Sequence, residues 1–251
     1  DLWNQHRQNR LMTDYTNTVT DMEDAERNAL WSAAVQYNQG LQAAPQDAFT
    51  GADPGPKNPY WSLLDPDGTG VMGYLEIPKI SLRLPIYHGT GDAALQKGIG
   101  HLAGTSLPVG GSGTHCVLSG HRGLPSALLF TDLDQLETGD TFTLYVLDQR
   151  LSYQVDQILT VLPSDTDALQ IEKGKDYVTL VTCTPYAVNT HRLLVRGIRI
   201  PYEEAQKIDE EVGLQRTIPF NLILLIGGII AFIIIWVSIK LHKRRKEKKH
   251  E

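Results

Sequence analysis

Cys183 closes the apolar run 177–182 and stands just before Thr184-Pro185-Tyr186. A side chain at a strand end is held by the strand and still faces a cleft. Cysteine as thiolate is an intrinsically strong nucleophile, and a nearby cation favours that form. Arg192 follows nine residues later, at the start of the apolar run 193–200, so a hairpin between the two runs returns its guanidinium beside the sulfur. His121 follows Cys116-Val117-Leu118-Ser119-Gly120 and precedes Arg122-Gly123-Leu124-Pro125, again a strand end beside a glycine turn. A cysteine and a histidine brought together from two strand ends supply a nucleophile and a general acid. The chain has eight histidines, and spacing alone does not choose among His88, His101, His115, His121 and His191. Cys116, inside its run, reads as a small buried apolar residue, the usual state of an isolated cysteine. Two cysteines exclude a disulfide scaffold and a Cys-rich zinc module. The histidines and acids show no paired ligand spacing, and Gly110-Gly111 with Gly113 lacks the lysine and strand–helix setting of a phosphate loop. No cofactor and no metal are expected.

These side chains need a scaffold. Runs rich in Thr, Val, Tyr and Ile at 71–77, 82–87, 115–118, 141–147, 151–162, 177–182 and 193–200 predict strands. Several short strands at this spacing predict a β-barrel or sandwich. Residues 1–43 are polar and helix-prone. Within 21–41, Met22, Ala25, Ala29, Leu30, Ala33 and Tyr37 recur at three- and four-residue spacings, the pattern of an amphipathic helix. Residues 44–69 hold Pro45, Pro54, Pro56, Pro59 and Pro66 and predict a loop. Residues 203–217 are acidic and read as a helix or linker.

With 251 residues, 41% hydrophobic and 21% charged, the chain has enough apolar surface for a core and is not disordered by composition. Its net charge of -6 is unevenly spread. From Leu222 to Ile239 there is no charge, and with Ile218 and Phe220 the run 218–239 has the length and hydropathy expected of a membrane helix. Lys240, Lys243, Arg244, Arg245, Lys246, Lys248 and Lys249 follow, against Glu247 and Glu251, a net +5 that leaves -11 on the rest. Such a cluster beside a span predicts a cytoplasmic tail at 240–251, an extracellular acidic bulk, and lipid headgroups rather than nucleic acid as the tail's contact. The chain does not begin with Met, and a leader ahead of Asp1 is expected for an exported domain.

Several segments stand out in order across 71–200. They are Gly73-Tyr74-Leu75-Glu76-Ile77-Pro78-Lys79-Ile80, Leu84-Pro85-Ile86-Tyr87-His88-Gly89-Thr90, and Gly98-Ile99-Gly100-His101-Leu102-Ala103-Gly104-Thr105-Ser106-Leu107-Pro108. The others are Ser119-Gly120-His121-Arg122-Gly123-Leu124-Pro125, Thr182-Cys183-Thr184-Pro185-Tyr186, and Asn189-Thr190-His191-Arg192-Leu193-Leu194-Val195-Arg196-Gly197. Together they resemble the sortases, and specifically the class C, pilus-assembling sortases of Gram-positive bacteria. The resemblance implies a mostly antiparallel sortase-type β-barrel over 70–202, with the helical region 1–43 ahead of it and one C-terminal transmembrane helix behind it.

The resemblance also implies roles. Cys183 matches the nucleophile that attacks an LPXTG-like sorting signal and forms a thioacyl enzyme. His121 matches the general acid that protonates the leaving amine and later activates the incoming one. Arg192 matches the arginine at the signal's carbonyl oxygen, where charge stabilisation is commonly a large contribution. The implied partners are the sorting signal of a pilin or surface protein, a lysine amine on another pilin, and the membrane. Class C sortases also carry a lid with an Asp-Pro-aromatic motif, and the best match within 44–69 is Asp47-Ala48-Phe49, with Ala where Pro is common. Two other readings compete: a housekeeping-type sortase that joins proteins to cell-wall peptide, and a non-catalytic membrane-tethered module that only holds a peptide.

Overall fold

A computed structural model describes residues 2–41, 54–123 and 128–217 of the chain. The chain divides into two units, Asp1–Asp209 and Glu210–Glu251. The first holds two N-terminal helices and a β-barrel. Of the second, only the last residues of one helix are described.

Helices α1 (Leu2–Asp21) and α2 (Asp24–Gly40) form the N-terminal region. The helix expected over 21–41 is α2, and α1 precedes it across a break at Met22 and Glu23. The barrel strands are β1 (Val71–Ile77), β2 (Leu82–His88), β3 (Ile99–His101), β4 (Thr114–Ser119), β5 (Thr141–Val146), β6 (Gln149–Val161), β7 (Asp176–Thr184) and β8 (His191–Ile200). A short α3 (Asp92–Leu95) lies between β2 and β3, and α4 (Tyr202–Thr217) follows β8. The strands close in the order β1-β2-β3-β4-β7-β8-β6-β5. Closure removes free sheet edges, each of which would present a row of unpaired backbone groups. The pairings are antiparallel except β2 with β3 and β4 with β7, which are parallel.

Strand alternation assigns the two faces of the barrel wall. Leu180 and Val178 of β7, Leu118 and Cys116 of β4, and Leu193 and Val195 of β8 point into the main core, with Phe142, Leu144 and Tyr153. The residues between them, Val181, Val117 and Leu194, point outward into a second, smaller cluster with Leu102 and Leu169. Leu169 belongs to the β6–β7 crossover, which this cluster holds against the outer wall. Arg196, also outward, fastens the same crossover through ion pairs with Glu172 at 3.5 Å and with Asp156 of β6 at 2.8 Å.

The N-terminal helices dock through buried polar contacts as well as apolar ones. The Tyr15 hydroxyl donates to Met72 O at 2.9 Å and accepts from Leu147 N at 2.8 Å. Asn38 donates to Leu107 O and accepts from Leu107 N at 3.1 and 2.7 Å. Each pairs backbone groups that burial would otherwise leave unsatisfied.

The expectation of a C-terminal transmembrane helix is corrected here. Among the described residues, no helix is long and apolar enough to cross a membrane. The last described helix, α4, carries Glu203, Glu204, Asp209, Glu210 and Glu211 within its 16 residues, and carboxylates at that density need water rather than hydrocarbon. Residues 218–239 and the basic tail lie outside the described residues. The fold class is therefore the eight-stranded barrel with N-terminal helices. The transmembrane assignment, and the placement of the chain on two sides of a membrane that depended on it, do not stand.

Candidate active site

Cys183 is the penultimate residue of β7 and Arg192 the second residue of β8. The two strands pair antiparallel, and Cys183 and Arg192 are direct partners in the register. Side chains of directly opposed residues lie on one face with Cβ atoms about 5 Å apart. That face is the outward one, two residues along from Val181 and Leu194. Cys183 is half-buried, so the sulfur is shielded but reachable. The guanidinium Nη1 of Arg192 donates to Asn189 O and His191 O, both at 3.2 Å, which holds it at the β7–β8 turn.

His121 reaches the same rim from the other side of β7. Strand β4 lies alongside β7 in parallel, with Ser119 opposite Val181. His121 and Cys183 are each two residues further along their chains. Gly120 N donates to Val181 O at 3.0 Å and Thr182 Oγ1 donates to Gly120 O at 2.8 Å, which extends the pairing past the end of β4. Gly120 is needed there because a Cβ would sit 2.6 Å from the Phe130 ring. The fold thus brings Cys183, Arg192 and His121 to one end of three neighbouring strands.

The other histidines are placed differently. His101 is fully buried between the Tyr60 hydroxyl at 2.9 Å and Ser106 O at 2.9 Å, and burial pushes its imidazole down to about 4. His115 is the second residue of β4, at the opposite end from His121, and contacts Gln170 O and Thr179 Oγ1; burial lowers its pKa too. Both ring nitrogens of His88 face backbone carbonyls, Gly70 O at 3.0 Å and Leu63 O at 2.7 Å. His191 opens β8 beside Arg192, and strand alternation turns it to the opposite face. Cys116 points inward at 3% exposure, and burial pushes its thiol well up, which suppresses the thiolate. Among the described residues no group of three His, Cys, Asp or Glu side chains could hold a metal ion. Asp47 and Phe49 lie within 42–53, outside the described residues.

Sequence reasoning assigned no role to Arg122 or Tyr186, which surround this rim. Arg122 Nη1 donates to Thr184 Oγ1 at 3.3 Å, its Nη2 pairs with Asp134, and its guanidinium lies 5.9 Å from the Tyr186 ring centroid. Both residues stood in the segments that carry the family resemblance. Their adjacency to His121 and Cys183 was the available signal.

A barrel with a cysteine opposite an arginine at its rim, and a histidine turn alongside, has the layout of a cysteine-based acyl-transfer enzyme. The sortase domain family matches residues 75–200, just over half of the chain, and the chain belongs to the sortase family, whose members are cysteine transpeptidases. Sortase C1 from Streptococcus agalactiae is similar at 50% identity and a TM-score of 0.71, covering 76% of this chain and 98% of that one. Sortase C of Streptococcus pneumoniae, whose structure is described in terms of catalysis and pilin substrate specificity, is similar at 47% identity and a TM-score of 0.71, covering 77% and 97%. These solved structures bear out the resemblance to the class C, pilus-type sortases. Sortase D of Bacillus subtilis is 33% identical over 122 residues, and the match spans 49% of this chain and 59% of that relative's length.

Proposed function

We propose that this chain is a transpeptidase that polymerises pilins. The observation that carries the reading is the direct pairing of Cys183 with Arg192 across β7 and β8, with the His121 turn on the neighbouring strand. Cys183 Sγ, as thiolate, attacks the threonine carbonyl carbon of an LPXTG-like sorting signal. The C–S bond forms, and negative charge develops on the carbonyl oxygen. Arg192, opposite the sulfur, donates hydrogen bonds to that oxygen. The C–N bond to the following glycine then breaks, and His121 gives its proton to the leaving amine.

The resulting thioester holds the signal on the enzyme. A lysine amine of the next pilin attacks the same carbonyl carbon, His121 takes the proton, and the C–S bond breaks to restore the Cys183 thiolate. An isopeptide bond replaces the original peptide bond, with no external cofactor in the balance. The class C resemblance and the pilin description of a structure 47% identical support the lysine as acceptor.

The test uses the purified full chain with a pilin bearing its sorting signal, and in parallel with a cell-wall peptide mimic. Polymerisation gives covalent ladders that are abolished by Cys183→Ala. Single adducts on the wall-peptide mimic, with no ladders, point to the housekeeping reaction instead. Ladders that persist in Cys183→Ala remove the catalytic assignment altogether.

A further inference from the structure

His121 lies past the last residue of β4, in a turn that the strand ladder does not hold. A misplacement of about 1 Å in a catalytic group costs on the order of a hundredfold in rate, so the turn needs its own support. Part of that support comes from the 130–131 segment and from β7: Phe130 N donates to His121 O at 3.0 Å, Gly123 N donates to Thr131 Oγ1 at 3.1 Å, and Thr182 Oγ1 donates to Gly120 O at 2.8 Å. Two further side chains cross between the His121 turn and the Cys183 turn.

Arg122 crosses in one direction. Its Nη1 reaches Thr184 Oγ1, the residue after the nucleophile, at 3.3 Å, while its Nη2 is anchored on Asp134. Tyr186 crosses in the other direction. Its ring lies so close over Gly123 that a Cβ there would be 2.7 Å from a ring atom, and Gly123 has φ +76, a left-handed conformation suited to glycine. The Arg122 side chain is only 10% exposed while Tyr186 is 56% exposed, so the ring forms the outer layer and the guanidinium the inner one. Burying a guanidinium has a desolvation cost, and this one is offset by contacts that join the two turns.

We propose that Arg122 is a positioning residue for transpeptidation: together with Tyr186 it ties the His121 turn to Thr184 and so sets the separation between the His121 imidazole and Cys183 Sγ. The proposal rests on the reading of His121 as general acid, and its test separates the two. An amide leaving group needs a proton from His121. A thiol leaving group, with a pKa of about 8.5, departs as thiolate and does not. Loss of the brace therefore penalises amide cleavage selectively, whereas general loss of structure penalises both.

The substrates are a sorting-signal peptide with the native Thr–Gly amide and its analogue with a thioglycolyl thioester at the same carbonyl. Rates are normalised to titrated Cys183 thiol, which removes any change in the folded fraction. Arg122→Gln is expected to lower kcat on the amide about 10–100-fold with KM within about twofold, and to change thioester turnover by less than about threefold. Tyr186→Leu, an exposed change with little folding risk, shifts the same ratio in the same direction by a smaller factor. Adding Arg122→Gln to His121→Ala produces no further loss on the amide. Equal losses on both substrates, no loss on either, or additive losses in the His121→Ala background overturn the positioning role. If His121→Ala itself fails to discriminate amide from thioester, the general-acid reading falls and this proposal falls with it.

Discussion

Replacing Arg192 by alanine is the sharpest test of the proposed chemistry. Arg192 is the register partner of Cys183, so the two Cβ atoms are about 5 Å apart on one face. A guanidinium on its three-carbon stem spans that gap to an oxygen on the carbon bonded to Sγ. Removing a donor of this kind costs about 3–4 kcal/mol in the transition state, or about 10²–10³ in kcat. Arg192→Lys keeps the charge but loses the planar fork, so about a tenfold loss is expected. The control is Arg196→Ala, on the same outward face with Leu194 between. Arg196 is held by Asp156 and Glu172 and lies 4.1 Å from the Tyr177 ring centroid, so its role is to fasten the β6–β7 crossover. Its loss should lower stability by about 1–2 kcal/mol and leave acylation per folded molecule within about threefold. The assay is the rate of thioacyl-enzyme formation with a sorting-signal peptide, followed by intact mass and normalised to titrated thiol. Arg192→Ala acylating within threefold of the parent, or Arg196→Ala losing as much as Arg192→Ala, would refute the reasoning.

Other outcomes are accessible with standard measurements. Thiol alkylation of the native chain should add one adduct, at Cys183, with Cys116 reacting only on unfolding; rapid double labelling would contradict the inward placement of Cys116. The family resemblance predicts that Asp47→Ala with Phe49→Ala speeds alkylation of Cys183, and an unchanged rate removes that lid assignment. Tyr15→Phe leaves Met72 O and Leu147 N without their buried partner and should cost about 2–3 kcal/mol of stability; a change under about 0.5 kcal/mol in urea unfolding counts against it. His101 is held down to about 4 by burial, whereas an unfolded histidine titrates near about 6.5. The unfolded chain therefore takes up this proton first, and the stability present above pH ~6.5 is lost as pH falls towards ~4. Between pH 6.5 and 5 the loss is about 2 kcal/mol, and His101→Gln should remove that part of the pH dependence; parallel urea midpoints for parent and variant would exclude it.

Most strand positions were legible because β-branched and aromatic residues cluster in runs bounded by glycine and proline. Strand β3 was not, since Ile99-Gly100-His101 is too short to show alternation and exists because β2 and β4 flank it. The C-terminal apolar run 218–239 has the hydropathy of a membrane helix and lies outside the described residues, among which no helix is long and apolar enough to cross a membrane. Within the site, Cys183 and Arg192 were local enough to read, because they stand only nine positions apart across one hairpin. The choice of His121 from spacing was not, because 62 residues separate it from Cys183.

What the sequence determined alone is the identity and local setting of the strands other than β3, and therefore that a cysteine closes one strand and an arginine opens the next. What only the tertiary structure decided is that β4 inserts in parallel beside β7. That pairing faces Leu118 and Cys116 inward with Leu180, turns Val117 outward with Val181, and carries His121 to the Cys183 rim while leaving His115 at the other end. The physical reason is that a strand's period of two records which residues share a face but not which neighbour the strand takes. The neighbour is settled by burying apolar faces and pairing backbone groups over the whole closed barrel at once.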